Sequence, residues 1–114
     1  MKTITEAHLS PRDQEALAEA TRIIKEQFPV ARVILFGSKS RGTDDIESDI
    51  DLLILTTKTL FWRERDAITD ALFEIEIKYD VVISTLVATV EEWEEGAFSI
   101  MPIHHEITRE GIVV

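Results

Sequence analysis

The sequence contains no cysteine, and it has only four glycines and three prolines. Without cysteine, disulfides and thiolate metal sites are excluded, so any metal must be bound by oxygen or imidazole. No run of eighteen apolar residues occurs, and the first ten residues lack the apolar segment of a signal peptide. We therefore expect a soluble cytoplasmic protein with no membrane partner.

Basic residues are also scarce: 12 Lys and Arg stand against 22 Asp and Glu, for a net charge of -10. Affinity for nucleic acid comes mainly from Lys and Arg that neutralise phosphates, so direct nucleic-acid binding and a polymerase role are not expected. A free nucleotide is not excluded, because its phosphates arrive with their own cation. The length of 114 residues and the hydrophobic content of 45% predict one domain over residues 1–114.

The most informative stretch is a polar loop between two apolar, strand-like runs, residues 33–36 and 52–55. The loop opens with Gly37 and closes on the pair Asp49 and Asp51. Side chains alternate across a strand, so both carboxylates project from the same face. An Asp-x-Asp pair near a glycine turn can hold hard divalent cations against the oxygens of a triphosphate. The pattern predicts phosphoryl-transfer chemistry.

The first half of the chain predicts a helix followed by a buried strand. Ser10 is a candidate helix cap, Pro11 suits the first helical position, and Asp13 stands where a capping box has its acid. An apolar stripe at helical spacing follows, formed by Leu17, Ala20, Ile24 and Phe28. Pro29 ends the helix, and residues 30–36 are continuously apolar enough for a buried strand.

The second half predicts a helix over about residues 60–77, a strand over residues 80–85 and a solvated helical turn anchored by Trp93. A last helix is expected over residues 98–109, stopped by Gly111. Residues 112–114 form either a short edge strand or a tail that faces a partner. This order of elements indicates an α/β or α+β fold with a mixed sheet of three or more strands flanked by helices.

The loop motif resembles the signature of the DNA polymerase beta-like nucleotidyltransferase superfamily, and more narrowly that of the minimal nucleotidyltransferases. Their common form is Gly-Ser-x-Ala-Arg-Gly followed by Ser-Asp-x-Asp-Leu, and this chain departs from it in carrying Ser40 where alanine is usual. The resemblance extends to residues 79–84, to the surroundings of Trp93 and to residues 110–112. It therefore covers nearly the whole chain.

The resemblance implies a fold, a reaction and a set of site residues. The family transfers a nucleoside monophosphate, with ATP as the expected donor and Mg²⁺ or Mn²⁺ as the cofactor. By position in the motif, Gly37 and Ser38 match the turn that holds the triphosphate. The metal-binding and catalytic carboxylates correspond to Asp49 and Asp51, with Asp80, expected to open the next strand, as the third.

The two basic side chains in the loop allow two interpretations. Lys39 and Arg41 either contact phosphate in the nucleotide site or pair with the loop acids, which are Asp44, Asp45 and Glu47. Both readings remain open from the residues alone.

The acceptor of the nucleotide is the least defined part of the prediction. The resemblance implies an antitoxin that transfers AMP to a hydroxyl on a HEPN-domain toxin. Two alternatives remain open: an antitoxin of the same fold that neutralises its partner by binding alone, or a homo-oligomer that transfers nucleotides to a small molecule.

Overall fold

A five-stranded mixed sheet forms the centre of the structure, a computed structural model that describes residues 2–3, 9–41 and 49–114. The strands are β1 (Lys2–Thr3), β2 (Val30–Phe36), β3 (Ile50–Thr56), β4 (Ile83–Thr89) and β5 (Ile112–Val113). The helices are α1 (Pro11–Gln27), α2 (Ser38–Arg41), α3 (Trp62–Tyr79), α4 (Val90–Glu94) and α5 (Pro102–Glu110), with a 3-10 helix at Ala97–Ile100.

The strands lie in the order β1-β5-β2-β3-β4. β2 and β3 are antiparallel neighbours, whereas β3 and β4 are parallel and are joined through α3. Helices pack on both faces: one apolar cluster lies against α1 and α3, and a second lies against α4 and α5. The predicted mixed α/β sheet is confirmed. No helix in the described part of the chain is long and apolar enough to cross a membrane.

Helix α1 begins and ends where the sequence predicts. The Ser10 hydroxyl accepts a hydrogen bond from the Asp13 backbone N–H at 3.1 Å, and Pro11 occupies the first turn. The predicted stripe is buried at Leu17, Ala20 and Ile24. This helix forms the layer that supports β2 from one side.

Helix α3 lies about two residues later in the chain than predicted, at Trp62–Tyr79, and the strand that follows is shifted with it. It buries Ile68, Leu72 and Ile75 and continues to Tyr79, whose hydroxyl donates to Glu19 Oε2 on α1 at 2.6 Å. Asp80 then ends the helix in the left-handed region, at φ 54°. The predicted strand at residues 80–85 is therefore wrong in its bounds, because β4 runs from Ile83 to Thr89.

The C-terminal region differs from the prediction in two respects. The single helix predicted over residues 98–109 is a 3-10 helix followed by α5, and Pro102 begins the new helix because it needs no N–H partner there. β5 is not an edge strand, since it lies between β1 and β2. The turn around Trp93 is confirmed as α4, with the indole buried.

Candidate active site

Gly37 makes the turn between β2 and α2, and it requires glycine for two reasons. Its φ of 77° lies in the left-handed region that side chains rarely adopt. A Cβ added there would also collide with Oδ2 of Asp51, which faces the turn. The Asp51 carboxylate therefore lies against the backbone of the Gly37 turn, as the loop motif predicts.

Asp49 and Asp51 lie at the start of β3. Asp49 is exposed just before the strand, and Asp51 is half-buried and paired in register with Phe36. Burial raises the pKa of Asp51 above its ordinary value of 3.8, and the negative charge of Asp49 raises it further, against a smaller lowering by Arg41. The structure thus brings both carboxylates close enough to repel each other, which is the arrangement that a bound cation relieves.

Asp80 does not join these two carboxylates. It is exposed at the C-terminal end of α3, three residues before β4 begins, so the expectation that it opens the strand is wrong. Across residues 2–3, 9–41 and 49–114, no three His, Asp or Glu side chains come together as a metal-binding group. The left-handed backbone at residue 80 suits a helix-ending residue, and aspartate tolerates it better than most.

Ser84 occupies the strand position beside the two carboxylates. It is paired in register with Asp51 across the parallel β3–β4 ladder, and its hydroxyl donates to Asp49 Oδ2 at 3.0 Å. Ser84 was not among the predicted site residues, because Asp80 was assigned the position beside the two carboxylates. The signal was the Ser84 hydroxyl at the start of the apolar run that became β4.

Lys39 does not face a nucleotide. Its side chain is fully buried, and its ammonium lies 2.7 Å from Oδ2 of Asp13, which is also buried. The prediction that Lys39 binds the nucleotide is therefore wrong, and so is the interpretation of Asp13 as a capping-box acid. A buried ammonium needs a compensating charge, and the start of α1 supplies it.

Arg41 points to the last helix. Its guanidinium lies 3.3 Å from Glu106 Oε1 and 3.2 Å from Glu110 Oε2 on α5, and this contact lowers the pKa of Glu110. Arg41 is still near enough to Asp51 to lower the pKa of that carboxyl. The alternative partners of both loop cations, Asp44, Asp45 and Glu47, lie outside the described residues.

The oxygen donors at this site fit a hard divalent cation. Asp49 and Asp51 supply anionic oxygens, and the Ser84 hydroxyl holds one of them in place. Two carboxylates suit Mg²⁺ or Mn²⁺, which keep several positions for water and substrate phosphate rather than filling a protein cage. Burial and the nearby charge of Asp49 raise the pKa of Asp51 because both disfavour its charged form. A bound cation would favour that charged form and offset both effects.

We expect Gly37→Ala to destabilise the protein by about 2 kcal/mol or more, because it adds left-handed strain of about 1–2 kcal/mol to a clash with Asp51. Thermal unfolding measures the loss. In a second pair of variants, Gly37→Ala is introduced into Asp51→Ala, which lacks the clashing oxygen. The cost of the glycine substitution should be smaller in that background; an equal cost would mean that the Asp51 contact does not constrain the turn.

Comparison with known proteins places these features in a family. The nucleotidyltransferase domain model matches residues 17–102. A putative protein adenylyltransferase of Methanocaldococcus jannaschii is 36% identical over 74 residues, which are 65% of this chain and 73% of that protein. A second from the same organism is 29% identical over 104 residues, covering 90% of this chain and 97% of the relative. The probable protein adenylyltransferase MntA of Haemophilus influenzae is 30% identical over 81 residues, 71% of each chain.

Solved structures share the fold at low sequence identity. A toxin-antitoxin crystallised with AMP-PNP aligns with a TM-score of 0.59 at 18% identity, covering 82% of this chain and 68% of that one. A mutant form of the toxin-antitoxin MntA-HpeT aligns with a TM-score of 0.58 at 16% identity, covering 91% and 72%. With the glycine turn, the paired carboxylates and the matched domain, this chain belongs to the nucleotidyltransferase domain family and is a nucleotidyltransferase of the minimal, MntA-like kind.

Proposed function

We propose that this protein transfers AMP from ATP to a hydroxyl on a partner protein, in a reaction that requires Mg²⁺ or Mn²⁺. The observation that carries the proposal is the contact between the Gly37 turn and Asp51, with Asp49 beside it. This contact brings a backbone turn suited to phosphate next to carboxylates suited to a cation. The names of the curated relatives, which are protein adenylyltransferases, support AMP as the transferred group.

Each residue of the site has a distinct role in the proposed transfer. The absence of a side chain at Gly37 lets the triphosphate approach the backbone closely. Ser38 is the first residue of α2, so its backbone N–H has no acceptor within the helix. In this proposal, that N–H and the Ser38 hydroxyl both donate to phosphate oxygens. Asp49 and Asp51 would hold the cation, whose positive charge would stabilise the negative charge that develops on the phosphate oxygens.

The reaction is an in-line displacement at the α-phosphorus. The acceptor hydroxyl loses its proton to water as its oxygen bonds to that phosphorus, the bond to the pyrophosphate oxygen breaks, and pyrophosphate leaves. The chain orients both groups, and holding reactants in line accounts for much of the rate enhancement in transfers of this kind. Lys39 takes no part, since its ammonium is buried against Asp13.

We further propose that the acceptor is a HEPN-domain toxin and that this protein is its antitoxin. The solved neighbours are described as toxin-antitoxin structures, one of them with AMP-PNP, which supports a toxin as the partner. The proposed site lies at the start of β3, where Asp49 is exposed and accessible to a second protein. The single domain and the cytoplasmic location expected from the sequence remain part of this proposal.

The test is a label-transfer assay with purified components. The protein is incubated with ATP labelled on the α-phosphate, magnesium, and a purified HEPN-domain protein as the acceptor. We expect label on the partner, release of pyrophosphate, and neither in excess chelator. Label on neither protein, in the presence of a partner that binds, would contradict the proposed activity.

A second function is favoured by one observation. Asp80 stands apart from Asp49 and Asp51, so the described residues supply two carboxylates where the family resemblance implied three. A protein of this fold that neutralises its partner by binding alone is consistent with that difference. The same assay separates the two functions, because binding without label identifies the binding antitoxin.

We expect Ser38→Ala to leave the melting temperature unchanged and to weaken transfer by about 1–3 kcal/mol, the scale of a hydrogen bond to a charged group. The residue is half-buried at the start of α2, so the substitution removes one hydroxyl without creating a cavity. Steady-state transfer and ATP titration measure the effect. Turnover and ATP affinity equal to those of the wild type would make Ser38 a turn residue only.

A further inference from the structure

The outer edge of β4 is open over its central residues, whereas the N–H groups at its two ends, those of Ile83 and Thr89, donate to the carboxylates of Glu76 and Glu92. β4 is the last strand of the sheet, and no other strand of the described residues covers its outer side. Native proteins usually protect such edges with charged residues or proline, or keep them short. β4 has seven residues, Ile-Ser-Thr-Leu-Val-Ala-Thr, with neither charge nor proline. A long, uncharged edge of this kind is typical of a strand that receives a partner.

Backbone groups on this edge alternate in direction. The Ile50 N–H donates to the carbonyl of Val82, so by the period of a parallel ladder the backbone groups of Ser84 and Leu86 turn to β3. Those of Thr85 and Val87 consequently face outward. The edge therefore offers two N–H donors and two carbonyl acceptors at the spacing of an extended chain.

A groove of about 420 Å³ lies against this edge. Ile68, Leu86 and Phe98 supply apolar lining, and Thr69 on α3 forms part of the wall. The groove also includes one cation, Arg65, and one anion, Glu92, which is not the basic lining that a nucleic-acid strand requires. Its size and mixed lining suit a few residues of extended polypeptide.

The groove lies next to the proposed active site along β4, because its lining on this strand begins at Thr85, the residue after Ser84. Thr85 and Val87 follow Ser84 on the same strand, and the Ser84 hydroxyl is bonded to Asp49. With a rise of about 3.3 Å per residue, the outward-facing part of β4 lies within roughly 10 Å of Ser84. A segment paired with this edge would lie two strand spacings, about 10 Å, from β3, so that a long side chain near its end could reach the two carboxylates.

We infer that β4 receives an extended segment of the acceptor protein as an added strand, and that this pairing delivers the acceptor hydroxyl to Asp49 and Asp51. The inference rests on the proposed function, because it names how the acceptor of that reaction is held. Backbone hydrogen bonds to Thr85 and Val87 supply affinity, and the groove selects side chains on one face of the segment.

Two pairs of variants test the added strand. Val87→Pro removes an outward N–H while leaving the ladder to β3 intact, and proline is tolerated at such edge positions. Its control is Val87→Thr, which has the same shape and keeps the N–H. Thr69→Trp fills the groove without altering the sheet; its control, Ala67→Trp, adds the same bulk at an exposed position on another side of α3. Melting temperature and ATP binding verify that each variant is folded.

The measured quantities are the affinity for the HEPN-domain protein of the assay above and amide exchange in β4. We expect Val87→Pro and Thr69→Trp each to weaken binding at least about tenfold, with the controls close to the wild type. In the wild type, partner binding should slow exchange at the Thr85 and Val87 amides. The Leu86 amide, already paired with β3, should exchange slowly in both states and serves as the internal reference.

The outcomes separate this inference from the proposed function. If Val87→Pro and Thr69→Trp are folded and bind the partner as tightly as the wild type does, the added strand is overturned, whether or not label is transferred. Binding without label contradicts the proposed activity, while loss of that binding in both variants still supports the docking edge. A wild-type dimer that Val87→Pro converts to a monomer would assign the edge to a second copy of this chain and overturn the inference.

Discussion

Asp51→Asn is expected to abolish nucleotide transfer without lowering the stability of the metal-free protein. Two carboxylates about 5 Å apart repel by roughly 3 kcal/mol at an effective dielectric near 20, and exposure of Asp49 reduces this to about 1 kcal/mol. The amide relieves that repulsion with almost no change of shape, so the variant should melt at the wild-type temperature or a few degrees higher. Transfer should fall by about 10³-fold or more, the scale of losing a group that stabilises the transition state.

Magnesium with ATP provides the second measurement. It should raise the melting temperature of the wild type, by binding the folded state, and raise that of Asp51→Asn little. Asp80→Asn is the matched control, because it makes the same chemical change at an exposed acid outside the site. Asparagine also tolerates the left-handed backbone at that position, so transfer and stability should both be retained.

The difference in stability between Asp51→Asn and the wild type should depend on pH in a defined direction. The folded protein raises the pKa of Asp51 above 3.8, so the protonated carboxyl is favoured in the folded state. That contribution to the free energy of unfolding is complete below pH 3.8 and is lost as the pH rises through the raised pKa. The stability advantage of Asp51→Asn should therefore be present at neutral pH and vanish on acidification. A lower apo melting temperature with transfer retained would make Asp51 a structural acceptor.

Lys39→Met should produce the largest loss of stability. The substitution leaves the Asp13 carboxylate buried without the ammonium that lies 2.7 Å away, and breaking a buried ion pair from one side costs about 3–5 kcal/mol. For a chain of this size the melting temperature should fall by about 10–20 °C. Because Lys39 lies two residues after Gly37, the nucleotide turn should also loosen, and ATP affinity should fall at temperatures where the variant is folded.

Two further variants separate charge burial from packing. Lys39→Met combined with Asp13→Leu removes both charges and should recover most of the lost stability, since an apolar pair of similar volume replaces a buried ion pair well. Lys78→Met makes the same substitution at an exposed pair with Glu19 and should change the melting temperature little. A double variant as unstable as Lys39→Met would show that the lysine acts by packing and not by charge.

The Gly37 turn and the start of β3 are predictable from local sequence because short-range rules govern them, whereas the short helix α2 after the turn was not predicted. A glycine after an apolar strand indicates a turn, and alternation along β3 puts Asp49 and Asp51 on one face. The cap of α1 is equally local, since Ser10 bonds to a backbone N–H three residues away. These features depend on residues that are neighbours in the chain.

Lys39 and Asp80 were misassigned because their environments depend on distant residues. A lysine between serines in a polar loop resembles a solvated cation, yet its partner on α1 is 26 positions earlier in the chain. The end of α3 is set by packing against α1, where Tyr79 reaches Glu19, while the local alternation of residues 74–81 also suits a strand. Ser84 was not assigned to the site because Asp80, predicted to open that strand, was given the position beside the carboxylates.

The mixed sheet has a consequence for the order in which the protein folds. β2 and β3 are consecutive strands and form an antiparallel pair, so Gly37, Asp49 and Asp51 come together through contacts that are close in sequence. Ser84 meets Asp49 across 35 positions of chain, after α3 has crossed over to lay β4 parallel to β3. Contacts of long sequence separation form slowly because their loop entropy is lost first. During folding, the part of the site proposed to hold the triphosphate therefore forms before the part proposed to contact the acceptor.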